Sequence, residues 1–468
     1  MSDRRLHRFV IVGGGASGAL MAAHLLRGNP PGISVTIVEQ RAQLGRGLAY
    51  GTGTPSHLLN VRAANMSAYP DDPDHFLRWL AGQGEVRAVG GEDRFRFVPR
   101  GVYGDYLEGL LAQHLQAPDG HAALSVVRDR ACGVRETPGG VEVMLQGGGS
   151  VHADVAILAC GHHYIADECP LHLSPWAEPV GGDAPSDSTL LILGTGLTMV
   201  DTASALKERG HRGRIVAVSR RGLLPQAHRD VEPLQIDVSR APLDRDIATI
   251  CHWLRGLARQ TEAQGGDWRS VIDGLRPHTQ TIWRIMPRLM RRRFLEHARP
   301  WWDTHRHRMA PQVAARVRAL IDSGQLEIIA GKIVAIAPNG EGARVAIRRR
   351  GTHEIASLDV SRIISCKGVE SVARKSDNPL VESLFAQGLA RMDALSVGLD
   401  VDDNCALVNR QGRASRRLFA IGPMSQAAFW EIIAVPDIRL QTAQLAAYLR
   451  GLAAGPVHSF SRSVENRH

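Results

Sequence analysis

The chain has 468 residues, of which 44% are hydrophobic and 22% are charged, and its formal net charge is +9. This length predicts two or three domains, and the composition is typical of a folded globular protein and excludes extended disorder. Arginine supplies nearly all of the positive charge, but the arginines are dispersed apart from a cluster at residues 288–308, with no aromatic-rich basic motif beside them. We therefore expect small anionic ligands and no nucleic-acid partner.

The first predicted elements form a nucleotide-binding unit. An apolar strand at residues 9–12 leads into the turn "GGGASG", then into the helical pattern "ALMAAHLL" and a second strand, "ISVTIVEQR". The first glycine permits a tight turn, the second lets a pyrophosphate approach the backbone, and the third lets the helix pack close to the strand. An acid at the end of the second strand can accept hydrogen bonds from a ribose diol. The candidate FAD-binding residues here are Gly13, Gly15, Ser17, Gly18, Glu39 and Gln40.

The segment that follows favours FAD over NAD. Where a plain NAD domain continues with another strand and helix, this chain has a long loop rich in Gly, Asn and His before a helix predicted near residues 74–80. Such a loop suits an extended ligand. Within it, His57 and Asn60 are the candidate catalytic residues, and Asn60 is also a candidate FAD contact. Met66 either packs on the isoalloxazine ring or belongs to the ordinary core.

A second nucleotide-binding unit begins at "TLLILGTGLTMVD". Gly194, Gly196 and Thr198 are the candidate NAD(P)H-binding residues of its turn, but Met199 stands where the third glycine is expected. The partner strand, "RIVAVSRRG", ends in Arg220 and Arg221 in place of an acid. Arginine can pair with a 2′-phosphate, so the site favours NADPH, unless these side chains are merely solvated.

Two later strands predict a return of the chain to the first unit. One ends at Gly161 and the other at Gly422, positions that we assign to FAD binding. After the second strand, Pro436 is predicted to begin a helix, where its missing N–H costs nothing. The amino end of this helix, including Asp437, is also assigned to the flavin, since a helix amino terminus stabilises negative charge.

The predicted fold class is α/β, with two Rossmann-like doubly wound domains, the second inserted in the first. The FAD domain is expected at residues 1–170 and again at 350–468, and the NAD(P)H domain at 186–345 with a helical excursion at about 240–320. The linker between them contains "PVGGDAPSDS", and alternating strands over residues 325–367 lead back.

The expected location is the cytoplasm. No run approaches the ~20 apolar residues of a membrane span, and the apolar run near the start is too short for a signal peptide. The cysteines lie far apart, without a C-x-x-C pair, which favours a reducing compartment and argues against structural zinc or a redox dithiol. Two histidine pairs, at 162–163 and at 305 and 307, lack further ligands at metal-binding spacing, so no metal is expected. The six cysteines are Cys132, Cys160, Cys169, Cys251, Cys366 and Cys405.

Two cofactors in one chain predict that NAD(P)H reduces FAD and that reduced FAD reacts further. Without a cysteine pair the chain is not expected to be a disulfide reductase, which leaves oxygen chemistry through a C4a-hydroperoxyflavin or hydride transfer to another acceptor. The leading prediction is a monooxygenase acting on a small organic substrate. The alternatives are an NAD(P)H-dependent flavoprotein reductase or dehydrogenase, and a nucleotide-sensing flavoprotein without catalysis.

Several motifs resemble those of the bacterial YdhS-like FAD/NAD(P)-binding proteins, distant relatives of the flavin-containing and N-hydroxylating monooxygenases. They are "GLAYGTGTPSHLLNVRAANMSAYPDDPDHFLRWL", "GTGLTMVD", "SRRGLLPQAH", "RPWWDTHRHRMAP" and "LFAIGP…FWEIIAVPDIRLQ". The resemblance implies flavin monooxygenase chemistry, either N-hydroxylation of an amine or hydroxylation of urate to 5-hydroxyisourate, a step of purine catabolism. The segment at residues 283–311 is typical of a basic amphipathic helix pair, and alternatively lines a pocket for such an anion.

Overall fold

The computed structural model describes residues 7–84, 91–115, 123–161, 171–177, 179–367 and 378–454. The strands in chain order are β1 (His7–Val12), β2 (Ile33–Val38), β3 (Leu124–Val127), β4 (Ala131–Thr137), β5 (Gly140–Leu145), β6 (Ser150–Ala153), β7 (Val155–Leu158), β8 (His172–Leu173), β9 (Leu190–Leu193), β10 (Ile215–Ser219), β11 (Leu326–Asn339), β12 (Gly342–Arg349), β13 (Ile355–Val360), β14 (Arg362–Ser365), β15 (Ala406–Val408) and β16 (Ala414–Ala420). The helices are α1 (Ala16–Leu26), α2 (His75–Gly82), α3 (Arg100–Leu115), α4 (Leu197–Glu208), α5 (Ile247–Ala263), α6 (Trp268–Leu275), α7 (Thr279–Ile285), α8 (Arg288–Arg293), α9 (Arg299–Arg306), α10 (Pro311–Asp322), α11 (Pro379–Ala386) and α12 (Val435–Ala454).

The first sheet has the strand order β15-β16-β7-β1-β2-β3. Its pairings are parallel except for β15 with β16, and β1 lies between β2 and β7. The central strand is a continuous apolar run because both faces of a parallel sheet are covered. Its Val10 and Ile11 are fully buried, and Leu20 and Met21 of α1 pack in the same core.

The second sheet has the order β13-β12-β11-β10-β9-β14-β8. Parallel pairing joins β11, β10, β9, β14 and β8, whereas β11, β12 and β13 are antiparallel. The alternating pattern over residues 325–367 therefore predicted β11 to β13 correctly, but β14 inserts in parallel beside β9. Leu190 and Ile192 are fully buried in a core separate from that of the first sheet. The chain thus has an α/β fold with two Rossmann-like parallel-sheet units.

The second sheet extends beyond the expected range of residues 186–345. It includes β8 before that range and β13 and β14 after it, since these strands pair with its members and not with the first sheet. A separate antiparallel sheet of order β4-β5-β6 accompanies the first unit. The predicted helix near residues 74–80 is α2, and the predicted helical excursion contains α5 to α10. No helix among the described residues is long and apolar enough to cross a membrane.

Candidate functional site

The first glycine turn lies between β1 and α1. Gly13 has a φ of +104°, and a Cβ added there would lie 2.5 Å from the Ala159 carbonyl oxygen. A Cβ at Gly18 would overlap the Gly13 carbonyl oxygen, so α1 packs closer to β1 than any other residue would allow. At Gly15 the space is open up to the Gly47 Cα, 3.5 Å away. The turn therefore has a backbone surface that a phosphate can approach at the start of a helix.

Glu39 faces this turn from the end of β2. Its Oε2 accepts a hydrogen bond from the Gly14 backbone N–H at 2.7 Å, and its Oε1 accepts one from the Arg41 backbone N–H at 2.9 Å. A carboxylate oxygen can accept more than one hydrogen bond, so both retain capacity for the hydroxyls of a ribose. Gln40 is exposed, and Ser17 is buried in the first turn of α1.

The second glycine turn, between β9 and α4, repeats the first with one difference. Gly194 has a φ of +111°, and an added Cβ there would overlap the Cys366 carbonyl oxygen. Gly196 is the N-cap of α4, and Thr198 lines the larger cavity described below. Met199 is fully buried in the core of this unit, so its side chain does not obstruct the turn. Because a whole side chain occupies this position, α4 cannot approach its strand as closely as α1 does.

The two arginines after β10 differ in their surroundings. Arg220 is exposed, while the Arg221 guanidinium donates a hydrogen bond to the His297 carbonyl oxygen at 3.4 Å. The preceding Ser219 hydroxyl holds the loop in place, since it accepts a hydrogen bond from the Gly222 backbone N–H at 2.9 Å. Arg220 thus has its donors available for a ligand at the end of the strand.

His57 joins the long loop to the second unit. Its Nε2 lies 3.2 Å from the Asp201 carbonyl oxygen, and its Nδ1 lies 2.8 Å from the Thr52 hydroxyl. Since the carbonyl can only accept, Nε2 carries the proton and Nδ1 accepts from Thr52. Burial lowers the pKa of His57. With both nitrogens engaged in the neutral ring, the geometry favours a positioning role for this residue.

A buried ion pair that sequence reasoning missed lies beside it. Arg100 Nη2 and Asp201 Oδ2 are 2.8 Å apart, and their side chains are only 10% and 12% exposed. The Ser56 hydroxyl also donates to Glu208 at 2.6 Å, so loop and α3 of the first unit are bonded to α4 of the second. Asp201 does appear in the quoted "GTGLTMVD" motif, but nothing in the sequence indicated its partner.

One cavity, which we call the larger cavity, has a volume of about 810 Å³ and lies where the two units meet. Asn60 and Met66 line it from the loop of the first unit, and Gly194 and Thr198 line it from the second turn. Val435, the first residue of α12, also lines it. Asn60 is held by a hydrogen bond that its carbonyl oxygen accepts from His228 Nε2 at 2.9 Å. His57 lines a smaller cavity of about 370 Å³ instead, together with Gly47.

A cluster of charged side chains forms one wall of the larger cavity. Its ion pairs join Arg306 to Glu431 at 3.0 Å, Arg276 to Asp437 at 3.5 Å, Arg299 to Asp303 at 3.2 Å, and Arg308 to Asp273. Glu431 is also the acceptor for the Trp302 indole N–H, and it has a φ of +67°, which is rare for a non-glycine residue. Such strain is held only where the surrounding structure fixes it.

Two of these arginines have buried donors without a partner. Arg306 and Arg308 are 8% and 3% exposed, and within the described ranges Arg306 Nη2, Arg308 Nε and Arg308 Nη1 have no hydrogen-bond acceptor. Buried donors are normally satisfied, so these N–H groups leave the positive charge of the cavity wall incompletely compensated. Burial raises the pKa of Asp303 to about 6 and lowers that of His307 to about 3. Asp303 therefore titrates close to neutral pH, where a carboxyl can exchange a proton.

The strand ends assigned to the flavin show different environments. Gly422 has a φ of +63°, and a Cβ there would overlap the Ser17 hydroxyl, so it brings the returning chain against the first turn. Gly161 has a φ of +67°, and a Cβ there would meet none of the described residues within 4 Å. The helix expected to begin at Pro436 begins one residue earlier, at Val435. Burial raises the pKa of Asp437, whose Oδ2 lies 3.5 Å from Arg276 Nη2.

No group of three or more His, Cys, Asp or Glu side chains is arranged to hold a metal ion in the described ranges. Of the histidines considered as a metal pair, His305 Nδ1 bonds to the Trp301 carbonyl oxygen at 2.8 Å and His307 lines the larger cavity. The other pair, at residues 162–163, and Cys169 lie outside the described residues. The segment at 283–311 contains helices with a basic surface, as expected, and it also contributes Arg299, Asp303 and residues 306–308 to the cavity wall.

Comparison with protein families matches residues 10–163 to a family described as FAD-NAD(P)-binding. Comparison with curated proteins finds no match.

Many solved structures share the fold. The ornithine N-hydroxylase of Kutzneria sp. 744 is 14% identical with a TM-score of 0.66, covering 96% of this chain and 100% of its own. L-lysine 6-monooxygenase from Pseudomonas syringae is 16% identical with a TM-score of 0.65, covering 96% and 99%. Lactococcus lactis thioredoxin reductase is 13% identical with a TM-score of 0.53, again covering 96% and 99%. At this identity the likeness is one of fold: the chain has the two-domain α/β architecture of the flavin-dependent N-hydroxylating monooxygenases and of thioredoxin reductase.

Proposed function

We propose that this protein is a FAD-dependent monooxygenase that uses NAD(P)H and O₂ to hydroxylate a small organic substrate. The observation that carries the proposal is that one cavity, of about 810 Å³, is lined by the first unit's loop, the second unit's glycine turn and the start of α12. Two nucleotide cofactors bound at the two turns would have their reactive ends in reach of this shared space. The family match over residues 10–163 and the shared fold support the same cofactors.

The residues present fit both groups. FAD would be held by the backbone of Gly13, Gly15 and Gly18, by Glu39 at its ribose, and by the chain near Gly422. NAD(P)H would be held at Gly194 and Gly196, and a 2′-phosphate at Arg220, whose side chain is exposed beside the turn. When bound, FAD would supply the capacity to accept hydride and to react with O₂. The overall reaction consumes NAD(P)H, one proton, O₂ and substrate, and yields NAD(P)⁺, water and hydroxylated product.

This chain's own residues would bind and orient the substrate. The positive charges of Arg306 and Arg308, which line the cavity, would attract a planar anion, and Asp303, with a pKa of about 6, would exchange a proton with it. The cavity wall at Trp430 and its neighbours would limit the access of water. Water in the site would favour release of hydrogen peroxide without hydroxylation of the substrate. Urate, a planar anion, is the first candidate substrate, because the resemblance to YdhS-like proteins implies it.

N-hydroxylation of an amine is the second candidate. It is favoured by the shared fold with enzymes described as ornithine and lysine monooxygenases. The carboxylates of Asp273, Asp303 and Glu431 lie in the same wall as the arginines. Their charges are paired with those arginines, so a substrate carrying both an acid and an amine would suit this wall better than a simple amine.

The test is NAD(P)H oxidation by the purified, FAD-loaded protein, with and without urate, recording O₂ and H₂O₂ together. Urate-stimulated O₂ uptake with little peroxide is expected if urate is hydroxylated, and ornithine or lysine in its place tests the second candidate. The Arg308→Gln variant should raise the KM for the anionic substrate about tenfold or more while NAD(P)H still reduces the flavin. Arg318→Gln, on the exposed face of α10, is the matched control. Failure of NAD(P)H to reduce the flavin would refute both the monooxygenase and the reductase.

A further inference from the structure

A separate cavity of about 670 Å³ lies within the helical segment at residues 243–305. Its lining is mostly apolar, and it includes six of the eight tryptophans of the chain. A volume of this size is typical of a small-molecule site lined by hydrophobic and aromatic side chains. The six are Trp253, Trp268, Trp283, Trp301, Trp302 and Trp430. We call this space the tryptophan cavity.

The helix α5 packs against α6, but its apolar face is only partly covered at this cavity. Of its 17 residues only Ile250 is buried, while Ile247, Trp253 and Leu254 are half-buried. An amphipathic helix normally buries its apolar stripe against a neighbouring element. Here that stripe borders empty space, and burial of apolar surface contributes about 25 cal/mol per Å². An apolar molecule in the cavity would recover this contribution.

The charged side chains that line the cavity are predominantly positive. Arg255 and Arg259 stand one helical turn apart on α5, and both are exposed, so they lie where the cavity meets solvent. In the described part of the chain neither has an ion-pair partner. Glu262 is the one carboxylate among the lining residues that are described. The opening therefore favours an anion.

We propose that the tryptophan cavity binds an amphipathic carboxylate, with its apolar body between the tryptophans and its anionic head at Arg255 and Arg259. This site is distinct from the larger cavity, whose lining includes four arginines, Arg276, Arg299, Arg306 and Arg308, that are paired with carboxylates. Trp430 borders both cavities and stacks on Trp283 with ring centroids 4.6 Å apart, so it forms part of the wall between them. The proposal requires neither cofactor and stands apart from the proposed function.

Tryptophan emission gives a direct test, because most of the fluorophores line the proposed site. The protein is titrated with decanoate, decanol and decyltrimethylammonium, and equilibrium dialysis gives the stoichiometry. We expect saturable binding of one decanoate per chain, at least tenfold tighter than decanol, and no saturable binding of the cation. Equal binding of all three amphiphiles, or unsaturated uptake of several molecules, would overturn the proposal.

Two variants locate the site. Ala258→Phe adds a ring within the lining and should abolish decanoate binding, while Arg255→Gln with Arg259→Gln should lower its affinity to that of decanol. Arg318→Gln, an exposed arginine of α10 outside the cavity, is the control and should bind as the parent does. The double arginine variant changes only exposed side chains, so it remains informative if the filled cavity disturbs folding. Undiminished decanoate binding by the double variant would refute the role of the arginines and overturn the proposal.

Discussion

The buried pair of Arg100 and Asp201 offers a sharp test of how the two units are joined. Arg100 lies at the start of α3 in the first unit and Asp201 in α4 of the second, with Nη2 and Oδ2 2.8 Å apart. Arg100 Nε also donates to the Leu58 carbonyl oxygen at 3.1 Å. Burial raises the pKa of Asp201 even though Arg100 acts to lower it. The desolvation of the carboxylate therefore outweighs its attraction to the guanidinium.

This balance predicts unequal costs for removing the two partners. Arg100→Met leaves a buried carboxylate without its partner and should lower the free energy of unfolding by about 3–5 kcal/mol at pH 7.5. Asp201→Asn removes the carboxylate charge that burial disfavours and keeps a neutral acceptor for Arg100, which also retains its bond to the Leu58 carbonyl oxygen. It still leaves the guanidinium without a counter-charge, so its cost should be about 1–3 kcal/mol, less than that of Arg100→Met.

The pH dependence follows from the direction of the shift. A raised pKa means that the folded state binds the proton more tightly, so the stability it contributes is present at low pH and is lost as pH rises through the folded pKa. The deficit of Arg100→Met should therefore shrink as the pH falls from 7.5 to 5, and adding Asp201→Asn to that variant should remove the pH dependence. Urea denaturation of the two single variants, the double variant and the parent at each pH measures it. A deficit for Asp201→Asn as large as that for Arg100→Met would refute the reasoning.

Three further predictions concern the turns. Glu39→Gln should weaken FAD binding about tenfold, measured by flavin retention, because a charged acceptor at the ribose is lost; Arg318→Gln, at an exposed position of α10, should not. Arg220→Ala should raise the KM for NADPH about tenfold or more and leave that for NADH nearly unchanged, and equal changes would contradict a 2′-phosphate contact. Gly422→Ala should lower the free energy of unfolding by about 2–4 kcal/mol, against about 1–2 for Gly161→Ala, because both have a positive φ but only the former Cβ overlaps a neighbouring side chain. Similar losses of stability in the two variants would show that backbone strain alone sets the cost of the added Cβ.

Several features of the site could be predicted because they depend on neighbours in the chain. A strand, a glycine turn and a helix follow one another at Gly13 and again at Gly194, and the backbone angles of those glycines are set by the turn itself. The acid at Glu39 was found by its distance along the chain from the turn, which the parallel pairing of β1 with β2 makes a distance in space. The domain limits were less well predicted, since membership of β8, β13 and β14 in the second sheet depends on pairing with distant strands.

The cavity wall could not be predicted in this way. Arg306 pairs with Glu431 and Arg276 with Asp437, partners more than a hundred residues apart that only folding brings together. His57, a catalytic candidate on sequence grounds, has both ring nitrogens hydrogen-bonded, one to the Thr52 hydroxyl and the other to the Asp201 carbonyl oxygen. Asp201 is also distant in the chain, so this bond could not be predicted from the sequence. The sequence by itself determined the two Rossmann-like folds, because the hydrophobic periodicity of strands and helices and the glycines of the turns depend on residues that are neighbours in the chain. The tertiary structure alone decided which charges are buried together, because desolvation and pairing depend on what surrounds each group in space.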